Sequence, residues 1–193
     1  DLGVIVSASH NPAEWNGLKG SKKDVEPMSG EEVQQVRDFV TGGKSLPKAS
    51  KRGTVKKLET MPDYLDHVLS FIDQKSLKPM RILANCNFGT MGEVVLALNK
   101  RIPFDLVPLN IEPDGRFPKG PPDPLLPKMR VEVTEEAKKE KVDFAVAWDN
   151  DGDRCYFHDD NGDFIPGAFI TAVLAKLVLE KKSGGKIVSE PRI

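Results

Sequence analysis

Apolar positions in the first third of the chain fall into short bursts with two different periods. Val4-Ile5-Val6 is a continuous β-branched run, which predicts a short buried strand over residues 3–7, covered on both faces. Val33, Val36 and Val40 then recur at helical spacing. They follow Ser29-x-x-Glu32, a capping box, and precede Gly42-Gly43, so a helix is expected between those signals. Residues 44–58 are basic, carry no apolar stripe and read as an exposed connection. Pro62 suits the first turn of a second helix, expected to bury Leu65, Val68 and Ile72.

After residues 76–79 the pattern changes to strands alternating with helices. Arg81–Ala84 reads as a strand, Asn87–Gly92 as a glycine-containing turn into a helix bearing Val94, Val95 and Leu98, and Phe104–Leu109 as a further strand. Residues 111–129 hold six prolines and two glycines and predict a long irregular loop. A polar helix is expected over 134–141 and a strand over 142–148. Asp159-Asp160-Asn161-Gly162 between Tyr156-Phe157-His158 and Phe164-Ile165 is a hairpin signal. An apolar-rich helix over 168–181 and a closing strand at Ile187-Val188 complete the pattern. Such alternation implies α/β units around a largely parallel sheet, made mixed in the second half by the hairpin.

Composition narrows the function classes. The 193 residues carry 28 Lys and Arg against 29 Asp and Glu, a balance with no overall pull toward nucleic acid or anionic lipid. No apolar run approaches the roughly 20 residues that cross a bilayer, and no signal peptide is visible, so neither membrane nor nucleic acid is an expected partner. Cys86 and Cys155 make no disulfide framework and no Asn-x-Ser/Thr sequon occurs, which points to a cytoplasmic location. The chain starts Asp1-Leu2-Gly3 without Met and ends directly after an apparent strand, so we read it as part of a longer protein.

Two polar motifs about 140 residues apart carry the chemistry. Asp149, Asp151 and Asp153 alternate at the C-terminal end of a predicted strand. In an extended segment alternate side chains share a side, so three hard oxygen ligands converge on one cation. Carboxylates without His or Cys suit magnesium, manganese or calcium rather than zinc. An EF-hand needs Gly at loop position six and Glu at position twelve, where this chain has Arg154 and Asp160. A haloacid-dehalogenase-like phosphatase and an acidic surface turn are the other readings. Arg154, directly after the carboxylates, suits a phosphate oxygen. The other motif is Ser7-Ala8-Ser9-His10-Asn11-Pro12, which reads either as a turn or as a loop bearing a nucleophilic serine. A serine hydroxyl needs a base or charge stabilisation to act. His10 could tune it, and Lys19, one short loop away in Asn16-Gly17-Leu18-Lys19, could neutralise a phosphoryl group or relay a proton.

These two motifs, in this order and at this separation, resemble the α-D-phosphohexomutase superfamily, and Cys155 after the Asp loop is most similar to its bacterial phosphomannomutase/phosphoglucomutase members. Pro113-Asp114-Gly115-Arg116-Phe117-Pro118 and Lys186–Arg192 are weaker echoes. The resemblance implies two three-layer α/β/α domains with mixed, largely parallel sheets, the first incomplete. Residues 1–77 would be the latter part of domain 1 with the phosphoserine loop, and residues 78–193 domain 2 with the metal loop. It implies catalytic roles for Ser9, His10 and Lys19 and phosphate binding by Asn11 and Arg154. One Mg2+ would be held by Asp149, Asp151, Asp153 and the phosphate on Ser9. The implied substrate is a small phosphosugar, a hexose 1- or 6-phosphate, with hexose 1,6-bisphosphate as intermediate and activator. Phosphoglucosamine mutase is an alternative within the family; a magnesium-dependent phosphatase and a calcium-binding module are alternatives outside it. The family enzyme has four domains, so the resemblance implies little or no turnover by this chain alone.

Overall fold

Gly3–Val6 forms strand β1 and Leu18–Ser21 forms β2, an antiparallel pair in register from Gly3↔Ser21 to Val6↔Leu18 in a computed structural model that describes residues 2–188. The chain divides into two units, Asp1–Ala8 with Trp15–Asp66 and Ser9–Glu14 with His67–Ile193. In the first unit Ser7 N–H donates to Gly17 O at 3.0 Å, closing the base of the loop between the strands. The strand expected to be buried is exposed instead, with Val4, Ile5 and Val6 at 55%, 60% and 67%. Burial on both faces needs layers on both, and β1 has a single strand partner among the described residues. Lys19 lies on strand β2, paired with Ile5.

Helix α1 spans Gly30–Thr41 and starts as its sequence predicts. Ser29 Oγ accepts from Glu32 N–H at 3.2 Å, and Glu32 Oε2 accepts from Ser29 N–H at 2.7 Å. Gly42 caps its C-terminus, and residues 44–58 follow as exposed chain without helix or strand. Helix α2, Met61–Leu69, buries Leu65 and Leu69, whereas Val68 is half-buried and Ile72 is exposed. The helix stops earlier than expected because Ser70 N–H and Ser70 Oγ–H both donate to His67 O, so Ile72 lies beyond the last turn.

The second unit is built on five strands. Met80–Asn85 (β3), Phe104–Leu109 (β4), Phe144–Trp148 (β5), Cys155–His158 (β6) and Phe164–Ile165 (β7) lie in the order β4-β3-β5-β6-β7. β3 pairs in parallel with β4 and β5, and the hairpin β6–β7 continues the sheet antiparallel. Pro108, which has no N–H to give, sits on edge strand β4. Period-two alternation sends successive residues to opposite faces. Leu83, Ala145 and Ala147 pack with Val133 and Ala137 of helix α4, Pro127–Glu140. Ala84 and Cys86 pack on the other face with Val95 of helix α3, Met91–Asn99. The unit is therefore a three-layer α/β/α sandwich, and the alanines let the helices approach closely.

Helix α4 begins seven residues before the expected 134, because Pro127 is its first residue rather than part of the loop. Helix α5 runs Gly167–Lys181 with none of its residues buried. Among the described residues Ile187-Val188 forms no strand, with Val188 95% exposed, and the motif residues beyond it lie outside the described residues.

His158 is fully buried in β6, its Nδ1–H donating to Gly162 O at 3.1 Å across the hairpin. Burial holds its pKa below the usual 6.5. An unfolded chain therefore takes up a proton below pH 6.5 that the fold resists, and stability falls as pH drops through that range. Thermal melts should show this acid step, and a His158→Gln variant should be less stable overall but lack it.

Candidate metal and phosphoryl site

The acidic loop is the tip of a hairpin. The β5–β6 ladder closes at Trp148↔Cys155, and Asp149 N–H donates to Arg154 O at 3.3 Å beyond it. Six residues are thus folded into a tight turn with Gly152 at φ +71°, a left-handed conformation that suits glycine. The three carboxylates converge because the loop curls, not because it is extended as the alternation suggested. One oxygen from each of Asp149, Asp151 and Asp153 lies within 4.8 Å of the others. Asp149 is buried, Asp151 half-buried and Asp153 exposed. Burial raises the Asp149 pKa above 3.8, and the Asp151 and Asp153 charges push the same way against the Arg154 backbone N–H, which donates to Asp149 Oδ1 at 3.2 Å.

Charge and donor type fit a divalent hard cation. Two like charges about 4 Å apart repel by roughly 4 kcal/mol at an effective dielectric of about 20. The Arg154 guanidinium, 3.6 Å from Asp149 Oδ2 and 3.4 Å from Asp153 Oδ1, offsets part of the charge of the three carboxylates. All the ligand atoms are oxygens, which favours Mg2+, Mn2+ or Ca2+.

Ser9 and His10 belong to the same unit as this loop. The Ser9 hydroxyl donates to Asp149 Oδ2 at 3.3 Å and accepts from Arg154 Nη2–H at 2.6 Å. Arg154 Nη1–H donates to His10 Nδ1 at 2.6 Å. A guanidinium only donates, so Nδ1 is the accepting nitrogen of that ring. Arg154 Nε also lies 3.6 Å from Asp149 Oδ2 and 3.4 Å from Asp153 Oδ1. One side chain thus ties the hydroxyl, the imidazole and two carboxylates together. Ser9 stands at φ +55°, unusual for a non-glycine residue, and the turn aims its hydroxyl at the acidic loop. Asn11 is exposed on the same segment, and Lys19 is exposed on β2 in the other unit.

Support for the acidic loop from the turn before α3 was not apparent in the sequence. Thr90 N–H and Oγ1–H donate to Asn150 O at 2.8 and 3.1 Å. A Cβ on Gly89 would fall 2.4 Å from Asn150 O, and one on Gly152 would fall 2.4 Å from Met91 Cγ. The available signal was the glycine-containing turn directly after β3.

Fold and site together define an α/β protein in which a serine hydroxyl meets a loop of three clustered carboxylates. Family models match in two places: phosphoglucomutase/phosphomannomutase α/β/α domain I over residues 1–46 and domain II over residues 62–162. The chain is 37% identical over 198 residues to a phosphomannomutase of Vibrio cholerae and 39% identical over 195 residues to a protein of Xanthomonas campestris named phosphohexose mutases. These alignments take in 100% and 99% of this chain but 43% of each relative. A phosphoglucomutase/phosphomannomutase family protein of Burkholderia thailandensis shares the fold at TM-score 0.82 and 24% identity, over 95% of this chain and 39% of that one. Parafusin, a phosphoglucomutase of Paramecium, does so at 0.71 and 21%, over 90% of this chain and 38% of that one. The chain belongs to the phosphoglucomutase/phosphomannomutase family and spans about two-fifths of the length of these relatives.

Replacing Gly89 by Ala should displace Asn150 and with it the carboxylates. Mn2+ titration followed by electron paramagnetic resonance should show binding weakened about 10- to 100-fold, the usual effect of losing a group that orients metal ligands.

Proposed function

We propose that this chain supplies the phosphoryl carrier and cation loop of a phosphohexomutase. The enzyme would interconvert hexose 1-phosphate and hexose 6-phosphate, of mannose or glucose, through a phosphoserine and a 1,6-bisphosphate. The observation that carries this reading is the Ser9 hydroxyl held between Arg154 Nη2 and Asp149 Oδ2. Family membership and the names of the relatives support it.

In this reading Ser9 Oγ carries the phosphoryl group. The Oγ–P bond breaks as a sugar hydroxyl oxygen attacks phosphorus, and the 1,6-bisphosphate formed returns its other phosphoryl group to Oγ after turning over. Arg154 donates to the oxygen that gains charge as the bond breaks. It also holds His10 beside the serine, and Asn11 would meet a phosphate oxygen. Lys19 neutralises the phosphoryl group or relays the proton of the attacking hydroxyl. Asp149, Asp151 and Asp153 would hold Mg2+, with an oxygen of phosphorylated Ser9 as a further ligand. When bound, that ion supplies further charge stabilisation at the phosphoryl oxygens. Sugar recognition falls to the remaining length of such an enzyme. We also assign the domain boundary to residues 77/78 and, from the free thiols of Cys86 and Cys155, a cytoplasmic location.

Incubation with glucose 1,6-bisphosphate and Mg2+ should add one phosphoryl group to the intact mass, mapping to Ser9. Ser9→Ala should abolish the gain, and Arg154→Ala should slow it about 10²–10³-fold, the effect of removing one donor to a developing oxyanion. Phosphate release that survives Ser9→Ala would instead identify a metal-dependent phosphatase.

A further inference from the structure

We propose that Asn87, which touches neither Ser9 nor the carboxylates of the acidic loop in any described hydrogen bond, is a positioning residue for the cation loop. We further infer that it is held by a chain of amides reaching the proline-rich loop after β4. The inference rests on the reading of Asp149–Asp153 as a cation site. Its starting point is where the sheet ends. The parallel β3–β5 ladder stops at Asn85↔Ala147, and Asn85 is the last residue of β3. Trp148, the last residue of β5 before Asp149, has its carbonyl beyond that ladder. Asn87 Nδ2–H donates to Trp148 O at 2.7 Å and supplies a donor where the strand no longer does. A part-buried carbonyl at a strand end is satisfied by such a partner.

Asn87 is shaped for this task. Its backbone stands at φ +47°, a conformation Asn adopts more readily than most residues, and the turn folds its side chain back toward β5. The side chain is 3% exposed and fixed at its other end: Asn85 Nδ2–H donates to Asn87 Oδ1 at 3.0 Å, and Asn87 N–H donates to Asn85 Oδ1 at 3.0 Å. The chain of contacts continues outward. Asn110 Nδ2–H, just past β4, donates to Asn85 Oδ1 at 3.1 Å and to Glu132 Oε2 on α4 at 3.0 Å. Lys119 of the proline-rich loop donates to Asn110 Oδ1 at 2.9 Å and pairs with Glu132. Three asparagines, one carboxylate and one ammonium thus join the C-terminal ends of β3, β4 and β5 to α4 and the loop. Buried amides bonded on both sides set position more firmly than apolar contacts, because each misplacement leaves a polar atom unsatisfied. The strand end that presents Asp149 is therefore registered by Asn87.

The test uses Asn87→Gly, which accommodates the left-handed backbone and removes the side chain with its amide. Mn2+ affinity, read by electron paramagnetic resonance, should fall about 10- to 100-fold. In metal-free protein, amide hydrogen exchange over 149–154 should accelerate about tenfold, the loss of one buried hydrogen bond, with α4 unchanged. Val133→Ala, a core truncation in α4, should lower the melting temperature without altering Mn2+ affinity. Should Asn87→Gly fail to fold, Asn110→Gly breaks the same chain one link further out and should weaken Mn2+ binding less but in the same direction. Mn2+ binding by Asn87→Gly as tight as in the unaltered protein overturns the positioning role. If the unaltered protein binds no Mn2+, the cation reading fails, and unchanged exchange over 149–154 then overturns the registering role as well.

Discussion

Three carboxylates crowded onto one hairpin tip are the constraint around which this unit is organised. Each adds repulsion to its neighbours, and Asp149 adds the cost of burial. Arg154 compensates part of this. Its backbone N–H and its guanidinium both turn to Asp149, and the same guanidinium reaches Asp153, Ser9 and His10. An acidic set of oxygens suits a divalent cation, and the Ser9 hydroxyl is inside the same set of contacts. Electrostatic compensation and the positioning of Ser9 and His10 thus share one side chain.

The scaffold places this arrangement with ordinary packing. Parallel strands β3, β4 and β5 run side by side between α3 and α4, so their C-terminal ends open on one edge of the sheet, where ligands of open α/β sheets bind. The three chain segments leaving those ends carry Asn87, Asn110 and Asp149. Small residues set the distances: Ala145 and Ala147 beneath α4, Ala84 beneath α3, and Gly89 against Asn150 with no room for a methyl group. The backbone tolerates several left-handed residues in these segments, Asn87, Phe88 and Asn110 among them, and hydrogen bonds to Asn85 hold the two asparagines there.

Much of this was legible in the sequence where local chemistry decides the outcome. The capping box before α1, the hairpin between β6 and β7 and the strand delivering the Asp loop each follow from turn and cap residues within a few positions. What failed depended on neighbours. Val4-Ile5-Val6 has the composition of a buried strand, yet burial is a property of what covers it. Pro127 reads as loop beside the five prolines that precede it from Pro113 on, although a proline can equally open a helix. Ile72 keeps helical spacing past a helix that Ser70 has already ended. Around the site, the acidic loop and the serine were visible as residue types, and Arg154 as their neighbour. Its bridging of Ser9, His10 and Asp149 across about 140 positions was not, nor was the amide chain behind the loop, because no periodicity encodes contacts between strand ends.

The central claim is that Ser9 and the acidic loop address a single cation. Ser9 phosphorylated protein loaded with Mn2+ tests it through electron–nuclear double resonance at phosphorus. The account predicts a 31P hyperfine coupling of the size produced by a directly ligated phosphate. Mn2+ bound by the aspartates with no resolved 31P coupling would contradict it.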